Sequence, residues 1–208
     1  MKLGILIPFR ANLYPEAVAS WLGMVASLST MKGVEFRIYY LTRSHVQVAR
    51  TELLRTAMAD KMDWMLWLDD DAVVPVDLVS KLWASVGKAH VVIPWFTTKQ
   101  GNSVTYDFAM DTTKNPQEVY IPGGRENRLP RVEGGRYIGG AGFHAVLMSR
   151  VAGMVVSEMT NGLPFDVDMY PDRHTAEDVW FYQHLFLGGM RVWQDCDIHV
   201  GHIGTKIV

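Results

Sequence analysis

Three consecutive carboxylates, Asp69, Asp70 and Asp71, directly follow an uncharged apolar run from Trp64 to Leu68. Such a run is typical of a strand buried on both faces, and three adjacent carboxylates repel one another unless water or a cation screens them. A hard divalent cation, which prefers oxygen ligands, would turn this repulsion into a binding site. Because side chains alternate along a strand, Asp69 and Asp71 should point the same way and form the ligand pair. The alternative is a solvated acidic turn that caps a helix starting near Pro75.

The elements around this triplet alternate between strands and helices. Strands are predicted at 2–8, 34–41, 64–68 and 90–95, and helices at 14–31, 44–61 and 76–86. This order predicts an α/β fold whose mostly parallel central sheet is flanked by helices. Ligands of such open sheets bind beyond the carboxyl ends of the strands. Arg10, Arg43 and the Asp triplet all follow strand ends, so they should share one rim of the sheet.

The second half of the chain has a less regular pattern. Residues 97–136 lose their periodicity, which indicates loops and hairpins over the sheet rim. A glycine bend at 139–142 leads into an apolar strand that ends near Met148. One helix is predicted at 151–159, and a second helix is predicted to begin after Thr175 and to end near Leu187. Thr175, three residues before Asp178, is the predicted cap of the second helix. A last strand is predicted at 190–193, followed by a tail that contains His199 and His202.

Composition narrows the class of protein. The 208 residues are 49% hydrophobic and 20% charged with a net charge of -2, which fits one globular domain without a general attraction to nucleic acid. Cys196 is the only cysteine, so an intramolecular disulfide and a cysteine metal cluster are excluded. No apolar run reaches the roughly 18 residues of a membrane span, and no signal peptide is evident. A cytoplasmic location, either free or peripheral to a membrane, is therefore expected.

Several motifs in one order resemble those of a known family. They are a first strand ending in Ile7-Pro8, Arg50 on the helix before the Asp triplet, glycines at 139–142 entering a strand, Glu177-Asp178 opening a helix, and Gly201-His202 in the tail. Over nearly the whole chain this resembles a GT-A fold glycosyltransferase, closest to small family 2-like members. The resemblance implies one domain, 1–208. Residues 1–96 would bind the nucleotide, and residues 97–208 would bind the acceptor and carry the catalytic groups.

The resemblance implies a divalent metal, Mn²⁺ or Mg²⁺, on the diphosphate of a nucleotide-sugar donor. Asp71 would bind the metal, while Asp69 would bind the ribose or make a second metal contact. Asp70 is also counted among the donor contacts, because a triplet allows two registers. His202 would complete the coordination, with His199 as the alternative. A metal there would stabilise the charge that develops on the leaving diphosphate.

Catalysis is implied for Asp178, together with its neighbour Glu177. In the family this position holds the base that deprotonates the acceptor hydroxyl, a role open to a partly desolvated carboxylate within hydrogen-bond reach. The competing interpretation is an ordinary favourable interaction between first-turn carboxylates and the helix dipole. An inverting outcome is the favoured stereochemistry.

Five further residues are candidates for the donor site. Arg10 and Arg50 could bind the diphosphate or the base edge, because the planar guanidinium matches phosphate geometry. Pro8 ends the first strand, and Gly140 lies in the glycine bend, where glycines let a backbone approach a ligand closely or merely allow a tight turn. Trp180, close to Asp178 in sequence, is the candidate for stacking on a sugar face.

The predicted activity is sugar transfer from a UDP- or GDP-sugar to an acceptor hydroxyl on an unknown glycan, lipid or small molecule. One alternative is a nucleotidyltransferase that makes nucleotide sugars. It would need a glycine-rich phosphate loop after the first strand, and residues 8–12 contain no glycine. Another is a non-catalytic domain that binds sugar nucleotides or glycans.

Overall fold

Seven strands form one central sheet in the computed structural model, which describes residues 1–9, 13–42, 45–96, 105–113, 118–122, 128–170 and 173–203. Across the sheet the order is β2 (Glu35–Thr42), β1 (Lys2–Phe9), β3 (Trp64–Leu68), β9 (Ala145–Ser149), β5 (Val91–Trp95), β12 (Val192–His199) and β8 (Gly135–Ile138). Three short pairs lie outside it: β4 (Ala72–Val73) with β13 (Gly201–His202), β6 (Ala109–Asp111) with β7 (Glu118–Tyr120), and β10 (Asp168–Tyr170) with β11 (Arg173–Thr175). The helices are α1 (Pro15–Ser29), α2 (Val46–Ala59), α3 (Leu78–Trp83), α4 (Arg150–Met159) and α5 (Glu177–Leu187).

The sheet is mostly parallel, as the sequence predicts. β1, β2, β3, β5 and β12 run in one direction, whereas β9 and β8 run against their neighbours. The antiparallel strand β9 matters for the site, because its first residue, Ala145, pairs with Leu68, the last residue of β3. The residue before β9 therefore lies at the rim where the Asp triplet begins.

Helix α1 fixes the chain that follows the triplet. Pro15 occupies its first turn, where a missing N–H costs nothing. The buried residues Ala17, Trp21, Met24 and Leu28 recur at spacings of three and four, so one face packs on the sheet. From this face the Trp21 indole N–H donates to the Ala72 carbonyl at 2.9 Å. The segment after the triplet is thereby held against the helix.

An aromatic cluster fills the core beneath the rim. Phe143 lies 5.0 Å from both Phe165 and Phe181 and 5.6 Å from Trp67, in edge-to-face contacts measured between ring centroids. All four rings are at most 2% exposed. Each such pair adds about 0.5–1.5 kcal/mol beyond simple area burial, so these rings stabilise the core beneath the rim.

Three element predictions need correction. Strand β12 continues to His199, beyond the predicted end at Trp193. Its buried residues Gln194, Cys196 and Ile198 alternate with polar residues, so the sequence shows no continuous apolar run there. Strand β8 begins at Gly135, within the region predicted to be irregular, and continues beyond it to Ile138. Helix α5 is capped at Ala176 without a side-chain hydrogen bond, so Thr175 is not its cap. No helix among the described residues is long and apolar enough to span a membrane.

Candidate active site

The Asp triplet forms a tight turn at the carboxyl end of β3. The Asp69 N–H donates to the carbonyl of His144 at 3.1 Å, and the Ala72 N–H donates back to the Asp69 carbonyl at 3.1 Å. The first bond ties the turn to the residue just before β9, and the second closes the turn. The carboxylates of Asp69 and Asp71 both approach the imidazole of His144. The triplet lies in a turn rather than in a strand, so strand alternation is not the cause.

The C-terminal tail brings His202 to the same turn. β13 pairs with β4, so His202 lies opposite Ala72, and the Ile203 N–H donates to the Asp71 carbonyl at 3.1 Å. The His202 Nε2 is 2.7 Å from Asp71 Oδ2. His199 is exposed on β12, and among the described residues it is not part of the group around Asp71. The structure therefore favours His202 over His199.

His144 completes a cluster that sequence reasoning missed. It is 6% exposed, and its Nδ1 lies 3.5 Å from Asp69 Oδ2 and 3.6 Å from Asp71 Oδ1. Its ring centroid is 4.1 Å from that of His202. One ligand atom from each of Asp71, His144 and His202 lies within 4.8 Å of the others. We call these three residues the donor cluster.

The donor cluster has suitable chemistry for a divalent transition metal. Imidazole nitrogen and carboxylate oxygen are common ligands of such metals, whereas Mg²⁺ is usually bound through carboxylates, phosphates and water. Two imidazoles beside one carboxylate thus fit Mn²⁺ better than Mg²⁺. Asp71 and His202 were both predicted as ligands. Asp69 lies at the edge of the cluster, and its predicted metal or ribose contact stays a prediction.

A second cluster surrounds Arg50, which is 3% exposed on α2. Its Nη2 is 2.6 Å from Asp69 Oδ1, and its Nη1 is 2.6 Å from Glu177 Oε1 at the start of α5. The guanidinium also stacks over the Phe143 ring, 5.0 Å from the centroid. Burial alone would raise the pKa of Asp69, but Arg50 and His144 outweigh it and lower that pKa to about 2. Asp69 is therefore ionised and paired.

This geometry changes the interpretation of Arg50. The sequence predicts contact with the diphosphate or the base edge, yet both terminal nitrogens of Arg50 bind protein carboxylates. A buried ion pair keeps its charges only if geometry and hydrogen bonding are good, and both distances here are short. Arg50 instead joins α2, the β3 turn and α5. We call Arg50, Asp69, Glu177 and the adjacent Asp178 the arginine cluster.

Asp178 is half-buried at the N-terminal turn of α5. Desolvation and the neighbouring charge of Glu177 raise its pKa to about 6, against the lowering effect of Arg50. Its Oδ1 accepts a hydrogen bond from the Val179 N–H at 2.7 Å. A carboxyl group whose pKa lies near neutral pH suits general base chemistry.

Trp180, a predicted donor contact, makes structural contacts within the protein. The Trp180 indole N–H donates to the Leu163 carbonyl at 3.2 Å, and its ring lies 4.3 Å from that of His184. Residues two apart on a helix lie on nearly opposite faces, so Trp180 points away from Asp178. It fastens α5 to the loop after α4, and the predicted sugar stacking is not supported by this orientation.

Gly140 is enclosed by protein. A Cβ at this position would lie 2.7 Å from the Tyr182 Cβ and 2.9 Å from the Tyr106 ring. This packing accounts for the missing side chain, and the predicted donor contact of Gly140 stays a prediction. Pro8 is buried near the end of β1 and pairs with Leu41, and Asp70 is half-buried within the turn. Arg10 and Arg43 lie outside the described residues.

Comparison with known proteins agrees with this architecture. The model of glycosyl transferase family 2 matches residues 23–151, more than half of the chain. The protein therefore belongs to glycosyl transferase family 2. The match includes Arg50, the Asp triplet and His144, and it ends before Asp178 and His202. A search of curated proteins finds no significant match to this sequence.

Two solved structures share the fold. A197 from STIV has 15% sequence identity and a TM-score of 0.59, with 98% of this chain and 86% of that chain covered. GalNAc-T7, solved with UDP, GalNAc and Mn²⁺, has 12% identity and a TM-score of 0.59, with 98% of this chain and 44% of that chain covered. This chain thus spans less than half of the GalNAc-T7 chain. The predicted GT-A fold is confirmed.

Proposed function

We propose that this protein is a metal-dependent glycosyltransferase that moves a sugar from a nucleoside diphosphate to an acceptor hydroxyl with inversion. The observation that carries the proposal is the position of the two clusters at one sheet rim. The donor cluster and the arginine cluster share the turn after β3, which supports a role for both clusters in one site.

The donor side of the reaction rests on Asp71, His144 and His202. When bound, a divalent metal, preferably Mn²⁺, would stabilise the charge that develops on the leaving diphosphate. These three side chains would hold it, because one metal-ligand atom from each lies within 4.8 Å of the others. GalNAc-T7, which shares the fold, was solved with UDP, GalNAc and Mn²⁺. A UDP-sugar is therefore the first donor to test here, followed by a GDP-sugar.

The acceptor side rests on Asp178. Its carboxylate would take the proton of the acceptor hydroxyl as that oxygen bonds to the anomeric carbon and the bond from this carbon to the diphosphate breaks. Glu177 is bound to Arg50 and helps to fix the first turn of α5. Since Arg50 also binds Asp69, one buried side chain links the first turn of α5 to the turn after β3.

A non-catalytic domain that binds sugar nucleotides would need the donor cluster but not Asp178. The raised pKa of Asp178, about 6, favours the catalytic alternative, because a surface cap would not require desolvation. The nucleotidyltransferase alternative is supported by no feature of the described rim.

The test is a thermal-shift panel of UDP, GDP, CDP and dTDP and their sugars, each with Mn²⁺, Mg²⁺ or a chelator. We expect one diphosphate to stabilise the protein with Mn²⁺, by about 2.7 kcal/mol at a ligand concentration 100 times the dissociation constant. Chelator should abolish the shift. Donor hydrolysis or transfer by the stabilising nucleotide sugar then separates an enzyme from a binding domain.

Absence of any shift at millimolar nucleotide would contradict the proposal. A shift that survives chelator would remove the metal from it. Metal-dependent binding without sugar release, in the presence of a broad acceptor mixture, would support the binding domain.

A further inference from the structure

The two edges of the central sheet are built differently. β8 forms one edge with four residues, and the cations of Lys88 and Arg191 lie over aromatic rings of this edge, 4.0 and 5.1 Å from the ring centroids. Short length and nearby positive charge are common ways to keep an edge from pairing with another chain. β2 forms the other edge with eight residues in unbroken register with β1, and it contains neither proline nor lysine. The β2 edge therefore lacks these protections.

A row of backbone groups faces outward along β2. The Glu35 N–H donates to the Met1 carbonyl at 2.9 Å, so the backbone of Glu35 faces β1. In a parallel pair, alternate residues face the same neighbour, so the other odd-numbered residues of β2 also face β1. The N–H and C=O groups of the even-numbered residues, from Phe36 to Thr42, point to the outer side. Such a row is a template for one more strand.

The outward-facing residues also expose apolar side chains. Ile38 is 48% exposed and Tyr40 is 65% exposed, and residues two apart on a strand share one face. Helix α1, which connects β1 to β2, packs toward β4 instead, where Ser20 Oγ accepts from the Val74 N–H at 3.1 Å. Two large exposed side chains in the middle of an unprotected edge indicate an interaction surface.

The β2 edge is complementary to itself. If two β2 strands pair antiparallel about Tyr39, Ile38 of each copy lies opposite Tyr40 of the other, and Phe36 lies opposite Thr42. Every one of these pairs joins outward-facing residues, so about eight backbone hydrogen bonds form. Pairs of a β-branched and an aromatic residue are favourable across strands, and no like charges lie directly opposite each other in this register.

The charges beside the strand fit the same pairing. On the other sheet face the partner's Arg37 lies opposite Leu41, which lines a groove of about 280 Å³ between β2 and α2. Glu52 lines the same groove and offers a carboxylate to that guanidinium. Arg37 binds Asp60 of its own chain at 3.0 Å through one nitrogen, and both side chains are exposed. Its remaining N–H groups can therefore contact the second copy.

We propose that this chain forms a dimer in which the β2 edges of two copies pair antiparallel about Tyr39. The pairing joins two seven-stranded sheets into one. Two edges of this length bury on the order of 1,000 Å², the lower limit for a specific interface. A twofold pairing closes on itself, so no β2 edge is left for further copies. The inference goes beyond the proposed transferase activity, because it uses no residue of the donor cluster or the arginine cluster.

The first test is analytical ultracentrifugation of the full chain without metal or nucleotide, from about 1 to 100 μM. We expect a species of twice the chain mass of 23.5 kDa. Tyr40→Lys should raise the dissociation constant of the dimer at least about tenfold, because each dimer contains two Ile38–Tyr40 pairs. The control is Tyr120→Lys, at a tyrosine that is 47% exposed on β7. It should leave the dissociation constant unchanged.

The second test measures the register by disulfide formation. Tyr39 lies opposite its own copy in a pair without direct backbone bonds, where Cα atoms are about 4.5 Å apart, so Tyr39→Cys should form a covalent dimer under mild oxidation. Arg37→Cys is the matched control, because each of these side chains gives one hydrogen bond to Asp60. Its two copies lie about 13 Å apart along the strands, so it should not form the disulfide. Cys196 is buried and is common to both variants.

A wild-type chain that stays monomeric over the whole concentration range would overturn the proposal and leave the edge to a different protein. A dimer of equal strength in Tyr40→Lys would overturn it as well. Covalent dimers of Arg37→Cys in place of Tyr39→Cys would contradict the pairing about Tyr39. None of these measurements needs a donor, an acceptor or a metal, so failure of the proposed transfer activity would be recognised separately.

Discussion

Asp69 and Asp71 leave the same turn, two residues apart, and yet belong to different clusters. Asp69 is bound by the buried guanidinium of Arg50, and its pKa falls to about 2. Asp71 is hydrogen-bonded to His202 and faces His144. One carboxylate is committed to a strong ion pair inside the protein, whereas the other lies among imidazoles that are themselves metal ligands in many proteins.

This difference shows that neighbouring carboxylates at one strand end can have different roles: one forms a structural ion pair, and the other is available to bind a ligand. The Arg50 cation beside Asp69 offsets part of the electrostatic repulsion within the triplet. The arginine cluster also holds the elements around the site together. Arg50 links α2 to α5, and the aromatic cluster around Phe143 supports it from below.

The largest effect is expected at the catalytic end of the arginine cluster. Asp178→Asn should lower transfer by about 10²–10⁴-fold, because the amide cannot accept the acceptor proton. Donor and metal binding should be retained, as the donor cluster is intact. In the wild-type chain the rate should fall about tenfold per pH unit below about pH 6, since the base must be ionised and its pKa is raised. Steady-state kinetics from pH 5 to 8 measure this, and a rate independent of pH there would refute Asp178 as the base.

The next effect concerns the ion pairs themselves. Arg50→Met should destabilise the fold by about 3–5 kcal/mol, because Asp69 and Glu177 lose their buried partner. Urea unfolding measures the change. The matched control is Arg55→Met on the same helix, whose exposed pair with Glu52 should be worth less than about 1 kcal/mol. Equal losses in the two variants would show that the arginine cluster is no more than a surface network.

A smaller effect tests the packing that supports Tyr182. Gly140→Ala should cost about 1–3 kcal/mol, because the new Cβ would overlap the Tyr182 and Tyr106 side chains. Gly87→Ala is the control, since a Cβ there meets open space. If Gly140→Ala kept full stability but lost donor affinity, the glycine would contact the ligand as the sequence first suggested.

Much of this arrangement could be predicted from sequence, because it depends on local patterns. The apolar run of β3 before the triplet, the alternation of strands and helices, and the Glu177-Asp178 start of α5 all have short-range signals. They locate Asp71 and Asp178 at strand and helix ends. The position of His202 came from its place in the tail, and pairing of β13 with β4 accounts for it physically.

The missed features depend on tertiary geometry. His144 comes to the rim only because β9 runs antiparallel to β3, and a sequence that suggests parallel strands places the start of β9 at the other end. The signal available was a single histidine between Phe143 and an apolar strand. The contacts of Arg50 with Glu177 and of Trp180 with Leu163 had no sequence signal for a similar reason, since these partners are distant in sequence.

The central claim is that Asp71, His144 and His202 together hold a divalent metal. Its most direct test is Mn²⁺ binding, measured by calorimetry with UDP or GDP present, in wild-type protein, His144→Ala and His199→Ala. We predict that His199→Ala binds like the wild type and that His144→Ala weakens binding by at least about 10–100-fold. Equal Mn²⁺ affinity in all three proteins would contradict the assignment of the donor cluster as the metal site.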